Sequence, residues 1–244
     1  MYRFSLSIFL AMGMYNLALA FPENEDPTKT VVRKTADFTV NGLGDSPNWN
    51  KTEWIDITVQ ERGPNEQLAT RAKILYSDLG IYFLFVNEDQ KLSATLTEDF
   101  AALFNEDVVE VFLQPDASIP VYYEYELSPL DYELIILILN VDGKTRGWKP
   151  WHYEGNSRTQ HSISVQGGER KSHASIKSWT AEFFIPFSLL QPSAGMPQPG
   201  TQWRANLYRI DYDEGYTTWT WQKTTPNKPG NFHEPDKFGT LVFE

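Results

Sequence analysis

The chain has no cysteine among its 244 residues, and only four histidines and four methionines. Without cysteine there are no disulfides, no thiol nucleophile and no cysteine-ligated metal. His152, His161, His173 and His233 show no metal-ligand spacing, so a zinc site is not indicated. Met196 is the only methionine beyond residue 14 and lies in a Pro-rich stretch, which leaves Met–His haem ligation without a partner. Positive charge is scarce as well. Lys and Arg number 21 against 32 Asp and Glu, for a net charge of -11. Such a chain lacks the basic footprint that nucleic acid or an anionic membrane surface requires, and its acidic balance suits neutral ligands or cations. A serine-hydrolase elbow (Gly-x-Ser-x-Gly) is missing. Gly44-Asp45-Ser46 could stand for a different esterase block, but the late Asp-x-x-His it needs fails, because residue 230, three before His233, is Gly. Ser46 reads as a turn residue.

Long apolar runs are confined to the start. Arg3 precedes an apolar stretch from Phe4 to Leu19 that ends in Ala18-Leu19-Ala20. It is too short and interrupted for a span of ~20 apolar residues, and it suits a secretory signal cleaved after residue 20. An exported protein, periplasmic or extracellular, is expected, with no membrane insertion of the mature chain. Residues 21–35 are polar with Pro22 and Pro27 and read as a flexible lead-in. Residues 36–244 suit a single domain, since sandwiches commonly reach ~200–250 residues.

Helical periodicity is scarce too, limited to single turns at Asp99–Phe104 and Phe187–Leu190. What fills the chain is strand pattern. Val109, Val111 and Leu113 alternate with Val108, Glu110 and Phe112; Tyr123, Tyr125 and Leu127 alternate with Glu124 and Glu126. Further strands are expected at Asp37–Val40, Trp54–Val59, 71–76, 81–86, Leu134–Val141, Trp179–Pro186, Trp203–Ile210, Thr217–Trp221 and Gly239–Phe243. Some ten short strands with turn signals between them predict an all-β, antiparallel, jelly-roll-like sandwich.

Aromatics are abundant: 8 Trp, 12 Tyr and 15 Phe. A sugar site needs flat rings against the C–H faces of a pyranose and polar groups for its hydroxyls. Trp219 and Trp221 share a strand face, either core or stacking platform. Trp148 and Trp151 bracket Lys149-Pro150 in a polar segment read as a loop, where binding groups concentrate. Trp49, Trp54, Trp179 and Trp203 sit in apolar strand patterns and are assigned to the core. Glu124 and Glu126, two apart on one strand, fall within the ~5–9.5 Å of a glycosidase pair, but both project from the same strand; a solvated face is the plainer reading. Asp211, Asp213 and Glu214 cluster oxygen ligands of the kind calcium takes.

Four segments carry a resemblance. Asp107-Val-Val-Glu110-Val-Phe112-Leu, Trp179-Thr-Ala-Glu182-Phe-Phe-Ile185-Pro-Phe187, Gly200-Thr-Gln-Trp203-Arg-Ala-Asn206-Leu-Tyr-Arg209 and Phe232-His-Glu-Pro-Asp236-Lys-Phe-Gly239 resemble, in order and spacing, strands of the family 9 carbohydrate-binding modules. The similarity runs from about Gly42 to the C-terminus. It implies a sandwich that holds a sugar between two aromatic rings, with structural calcium in some members. It implies that Glu110 and Asn206 contact the sugar, that Phe104 stands where the family has Trp, and that Trp219 or Trp221 supplies the second ring. The family's arginine on the next strand is replaced here by Glu124-Tyr125-Glu126. With Arg209 as a further hydrogen-bond donor and Trp148 and Trp151 as further rings, this is the expected carbohydrate site. Non-catalytic binding of a poly- or oligosaccharide, beside separately encoded carbohydrate-active enzymes, is the leading expectation. A glycan-active enzyme using Glu110, Glu124 or Glu126, and an interaction module without a sugar site, are the alternatives.

Overall fold

A computed structural model describes residues 26–151, 153–191, 193–226 and 232–244. The described residues form thirteen strands. The first six are β1 (Lys29–Lys34), β2 (Ile55–Glu61), β3 (Thr70–Tyr76), β4 (Gly80–Glu88), β5 (Val108–Gln114) and β6 (Val121–Leu127). There follow β7 (Glu133–Val141), β8 (Lys144–Pro150), β9 (Gln160–Gln166), β10 (Ser178–Pro186), β11 (Gln202–Asp211), β12 (Thr217–Thr220) and β13 (Gly239–Phe243).

They make two layers. One runs β8-β7-β6-β5-β11, with β12 and β13 pairing to opposite ends of β11. The other runs β9-β10-β4-β3-β2. All pairings are antiparallel except those of β1, which pairs in parallel with β13 through Lys29–Val32 and then with β3 through Arg33–Lys34. Strand β12 also pairs with β2, with a bulge where Thr218 and Trp219 meet Glu61 and Val59, so the layers are joined at that edge. Between them lies the core. Val109, Val111 and Leu113 of β5 meet Phe83 and Phe85 of β4 and Ala181, Phe183 and Ile185 of β10. Phe183 stacks on Phe83 at 5.2 Å and on Tyr125 of the other layer at 4.6 Å. The all-β sandwich expected from the alternation is therefore present.

Several local expectations need correction. Residues 29–34 are a strand, not part of a loose lead-in. Val31 and Val32 are too short an apolar signal to announce it, and it forms because β13 and β3 offer it backbone partners. Strand β8 carries no alternation that marks it in the sequence, and β9, largely polar, is not among the expected strands although Ile163 and Val165 alternate with Ser162 and Ser164. Residues 37–40, expected as a strand, are irregular and fold over the outer face of the second layer. Phe38 stacks on Tyr82 at 4.3 Å. Trp49, buried as expected but in a 3-10 turn, donates from Nε1 to Glu182 Oε1 at 2.8 Å. Trp54 is only half-buried, with the Arg71 guanidinium 4.1 Å from its ring centroid.

The Glu182 carboxylate ties this flap down, accepting from the Asn41 and Gly42 amides at 2.9 Å each. Gly42 has a φ of 79°, and a Cβ there would stand 2.9 Å from the backbone of Ser162 and Ile163. Gly42→Ala is expected to cost about 1–3 kcal/mol, the range for a side chain forced into a disfavoured backbone region. Urea unfolding would check it, and an unchanged midpoint would refute this account of the flap.

Candidate functional site: an acid-floored aromatic cavity

The outer face of the first layer is not open to water along its length. Val108 and Phe112 of β5, Tyr122 of β6, Ile136 and Ile138 of β7 and Tyr208 of β11 form a second apolar cluster. Segments around Leu103, Tyr212–Tyr216 and Phe232–Phe238 are folded over it. They leave a cavity of about 280 Å³. Its floor includes Phe112, Ile136, Glu110 and Glu124. Its walls are Phe104, Tyr212, Tyr216, Phe232 and His233, with Trp148 reaching in from β8.

The floor follows from strand register. Glu110 lies directly opposite Glu126 on β6 and Tyr208 on β11, and Phe112 lies opposite Glu124. A period of two puts Glu110, Glu124 and Glu126 on one face. All three are buried; the expectation that Glu124 and Glu126 form a solvated face is corrected by the segments that cover them. Glu124 Oε2 has no hydrogen-bond partner and stands 3.9 Å from His233 Nδ1. Neither oxygen of Glu126 completes a hydrogen bond of good geometry, although the Glu124 carboxyl and the Phe104 amide lie beside it. Burial raises Glu124 to about 7. Burial and then neighbouring carboxyls push Glu110 and Glu126 well above the usual carboxylate range. Burial lowers His233, which favours its neutral form. Its Nδ1 lies 2.7 Å from the Tyr122 hydroxyl and its ring stacks on Phe112.

Of the residues expected at a sugar site, the fold gathers Phe104, Glu110 and Trp148 around this cavity. Phe104 is 38% exposed and Trp148 61%, so both rings are available to a ligand. Trp148 is on β8, not in a loop. The others lie elsewhere. Trp219 faces the sandwich interior opposite Arg209 and is 1% exposed. Its Nε1 donates to the Leu68 carbonyl at 3.1 Å. It cannot be a clamp ring, because its register opposite Arg209, which itself lies opposite Val109 of the core face, puts it on the inward side of β12. Trp221 is half-buried against the core, its ring filling the space above Gly239. Trp151 also packs on the core, with Nε1 donating to the Leu189 carbonyl at 3.0 Å. Asn206 is buried with its amide fully engaged. It donates to the Tyr208 hydroxyl at 2.7 Å and the Gln222 carbonyl at 2.9 Å, and its oxygen accepts from the Leu207 and Gln222 amides. It supports the cavity at one remove, since the Tyr208 hydroxyl donates onward to the Phe232 carbonyl at 3.0 Å.

Arg209 is also in the interior, among acids. It meets Asp211 Oδ2 at 2.7 Å and Asp89 Oδ2 at 3.2 Å. Asp89, Asp211 and Asp213 bring carboxylate oxygens within 4.8 Å of one another, the sort of donor set calcium takes. The fit is poor as arranged. Asp89 also accepts from the Trp179 indole and the Gln90 amide, and Asp211 from the Asn65 amide group. Asp213 Oδ2 alone lacks a partner among the oxygens of these three carboxylates, against the ~6–8 oxygens calcium needs. The cluster is built around its own cation, and no calcium is assigned to it. Glu214, the third residue of the expected calcium group, stands outside it.

The sequence matches the family described as carbohydrate family 9 binding domain-like over residues 40–244. The chain belongs to that family. No curated protein sequence shows significant similarity to it. Among solved structures it is similar to a protein from Bacteroides uniformis to which carbohydrate binding is ascribed, at 20% identity and a TM-score of 0.74, over 88% of this chain and 99% of that one. It is also similar to a family 9 carbohydrate-binding module from Caldicellulosiruptor kristjanssonii. The cellotriose complex gives 15% identity and a TM-score of 0.61, over 88% of this chain and 93% of that one. The glucose complex gives 16% and 0.60, over 88% and 95%. At such identities the likeness to solved structures concerns the fold.

Sequence reasoning missed Tyr212, Tyr216, Phe232 and His233 as site residues. The two tyrosines flank Asp213-Glu214-Gly215, the turn between β11 and β12, so an aromatic pair across a turn was the signal. Phe232 and His233 open the motif that leads into β13, but nothing local says that His233 folds over Glu124.

Proposed function

We propose that this family 9-like chain is an exported, non-catalytic carbohydrate-binding protein whose ligand enters the cavity between Phe104 and Trp148. The observation that carries this reading is one concave site with exposed rings at its mouth and buried hydrogen-bonding groups on its floor, the combination a sugar requires. Family membership supports it, as do neighbours solved with cellotriose and glucose. The secretory signal expected at residues 1–20 lies outside the described residues. No helix among the described residues is long and apolar enough to cross a membrane. Such a binding protein would act beside separately encoded enzymes on the same glycan.

A glycosidase reading is disfavoured by geometry. Glu110 and Glu126 are an opposed strand pair, ~5 Å apart at Cβ, close to the separation of a retaining pair. Both rise from one floor, however, whereas acid and nucleophile must flank the scissile bond. Intrinsic tryptophan fluorescence of the purified protein, titrated with mono- and oligosaccharides, tests the binding reading. A saturable change is expected. Trp148→Ala should weaken it at least tenfold, about 1.4 kcal/mol, with thermal stability unchanged because the ring is mostly exposed. A flat response across the panel in folded protein would refute the proposal.

A further inference from the structure

Beside the neutral polar groups of Asn105, Tyr212, Tyr216 and His233, the charge the cavity can carry is of one sign. Glu110 and Glu124 line it, Glu126 is packed directly beneath, and no Lys or Arg is among its described lining residues. The remaining titratable neighbours are His233, Tyr122, Tyr208, Tyr212 and Tyr216. Glu124 Oε2, in a side chain 5% exposed, completes no hydrogen bond of good geometry, and Glu124 is among the residues that line the cavity. A buried acceptor left unmade is costly, and carboxyls packed at strand spacing cannot all ionise together.

A sugar hydroxyl could donate one hydrogen bond to Glu124, but it would bring no charge that lets the neighbouring carboxyls ionise. An ammonium group answers both. It offers three donors and no acceptor, and its charge allows the neighbouring carboxyls to ionise. Rings such as Phe104, Trp148 and Tyr212 suit both the apolar face of a pyranose and an adjacent cation. The net charge of -11 draws cations toward the molecule. The volume, near the lower end of ligand pockets at ~300–1,000 Å³, suits a single sugar unit.

We infer that the sugar this cavity takes is a cationic amino sugar, a hexosamine with a free amine, held with its ammonium over Glu124 and its ring against the aromatic walls. The inference rests on the carbohydrate-binding reading and narrows it to a class of ligand.

The test is calorimetry on the purified protein with D-glucosamine, N-acetyl-D-glucosamine, D-glucose and ethanolamine at one pH near neutrality. Glucosamine should bind at least tenfold more tightly than glucose or N-acetylglucosamine, and ethanolamine should bind more weakly still. Glu124→Gln should abolish the preference while the variant still melts cooperatively. If that variant does not fold, Glu110→Gln provides the same comparison. Equal or tighter binding of glucose or N-acetylglucosamine would overturn the cationic ligand and leave the carbohydrate reading standing. Ethanolamine as tight as glucosamine would show an ammonium site without sugar recognition. No binding by any of the three sugars would overturn both.

Discussion

Arg209→Met is expected to be the most damaging single substitution in this protein, costing about 3–5 kcal/mol, the usual loss on breaking a buried ion pair from one side. Arg209 has no exposed side-chain surface. It donates to Asp211 Oδ2 at 2.7 Å, to the Glu88 carbonyl at 2.6 Å and to Thr70 Oγ1 at 3.0 Å. Its guanidinium lies 4.6 Å from the Trp219 ring centroid. Around it stand Asp89, Asp211 and Asp213, with Asp107 close by. Burial raises Asp89 to about 6 even with the arginine opposing it, and Asp107 is raised well above its ordinary value by burial and the neighbouring aspartates. Without the arginine these carboxyls must take up protons or repel. The loss should therefore be larger at pH 8 than at pH 5. Urea unfolding at both values would measure it, and a variant as stable as the parent at pH 8 would show that the cluster is not held by its cation.

The second large effect is on pH dependence. Glu124 rises from 4.5 to about 7, chiefly because burial penalises its charge. Its folded pKa lies above its unfolded one, so the folded state binds the proton more tightly. That stabilisation is fully present below about pH 4.5 and is lost as pH climbs through about 7. One fully buried carboxyl with this shift accounts for on the order of 3 kcal/mol. Glu110, Glu126 and Asp89 are raised and act in the same sense. His233, lowered by burial, acts in the opposite sense below pH 6.5. Unfolding free energy is expected to be greater at pH 5 than at pH 8, and Glu124→Gln should flatten the profile by raising stability at pH 8. A parent profile that is level or climbs from pH 5 to 8 would contradict this picture of the cavity floor.

Local residue pattern was enough to give the class of fold and the facing of the residues in the floor. Strict alternation in Val108–Gln114 and Val121–Leu127 assigns each side chain to one of two faces. It sets Glu110 beside Val108 and Phe112, and Glu124 beside Glu126, away from Tyr123 and Tyr125. The same alternation could not say which strands pair or what covers the outer face. Both faces of β5 are buried, and a strand reports its period but not its roof. The tertiary structure decided the pairing of β5 with β6, which joins the three glutamates, and it decided the roof. His233 is 109 residues from Glu124 in the chain, counting 233 less 124, and only the path of the C-terminal segment brings them together. It also decided the fate of the tryptophans. Trp219 and Trp148 look equally suited to a sugar in the sequence. Pairing with Arg209 of β11 turns one into the core, while a position on the edge strand β8 leaves the other in solvent. Local pattern carries side-chain parity because it depends on neighbours in the chain; exposure depends on which distant segment lands on top.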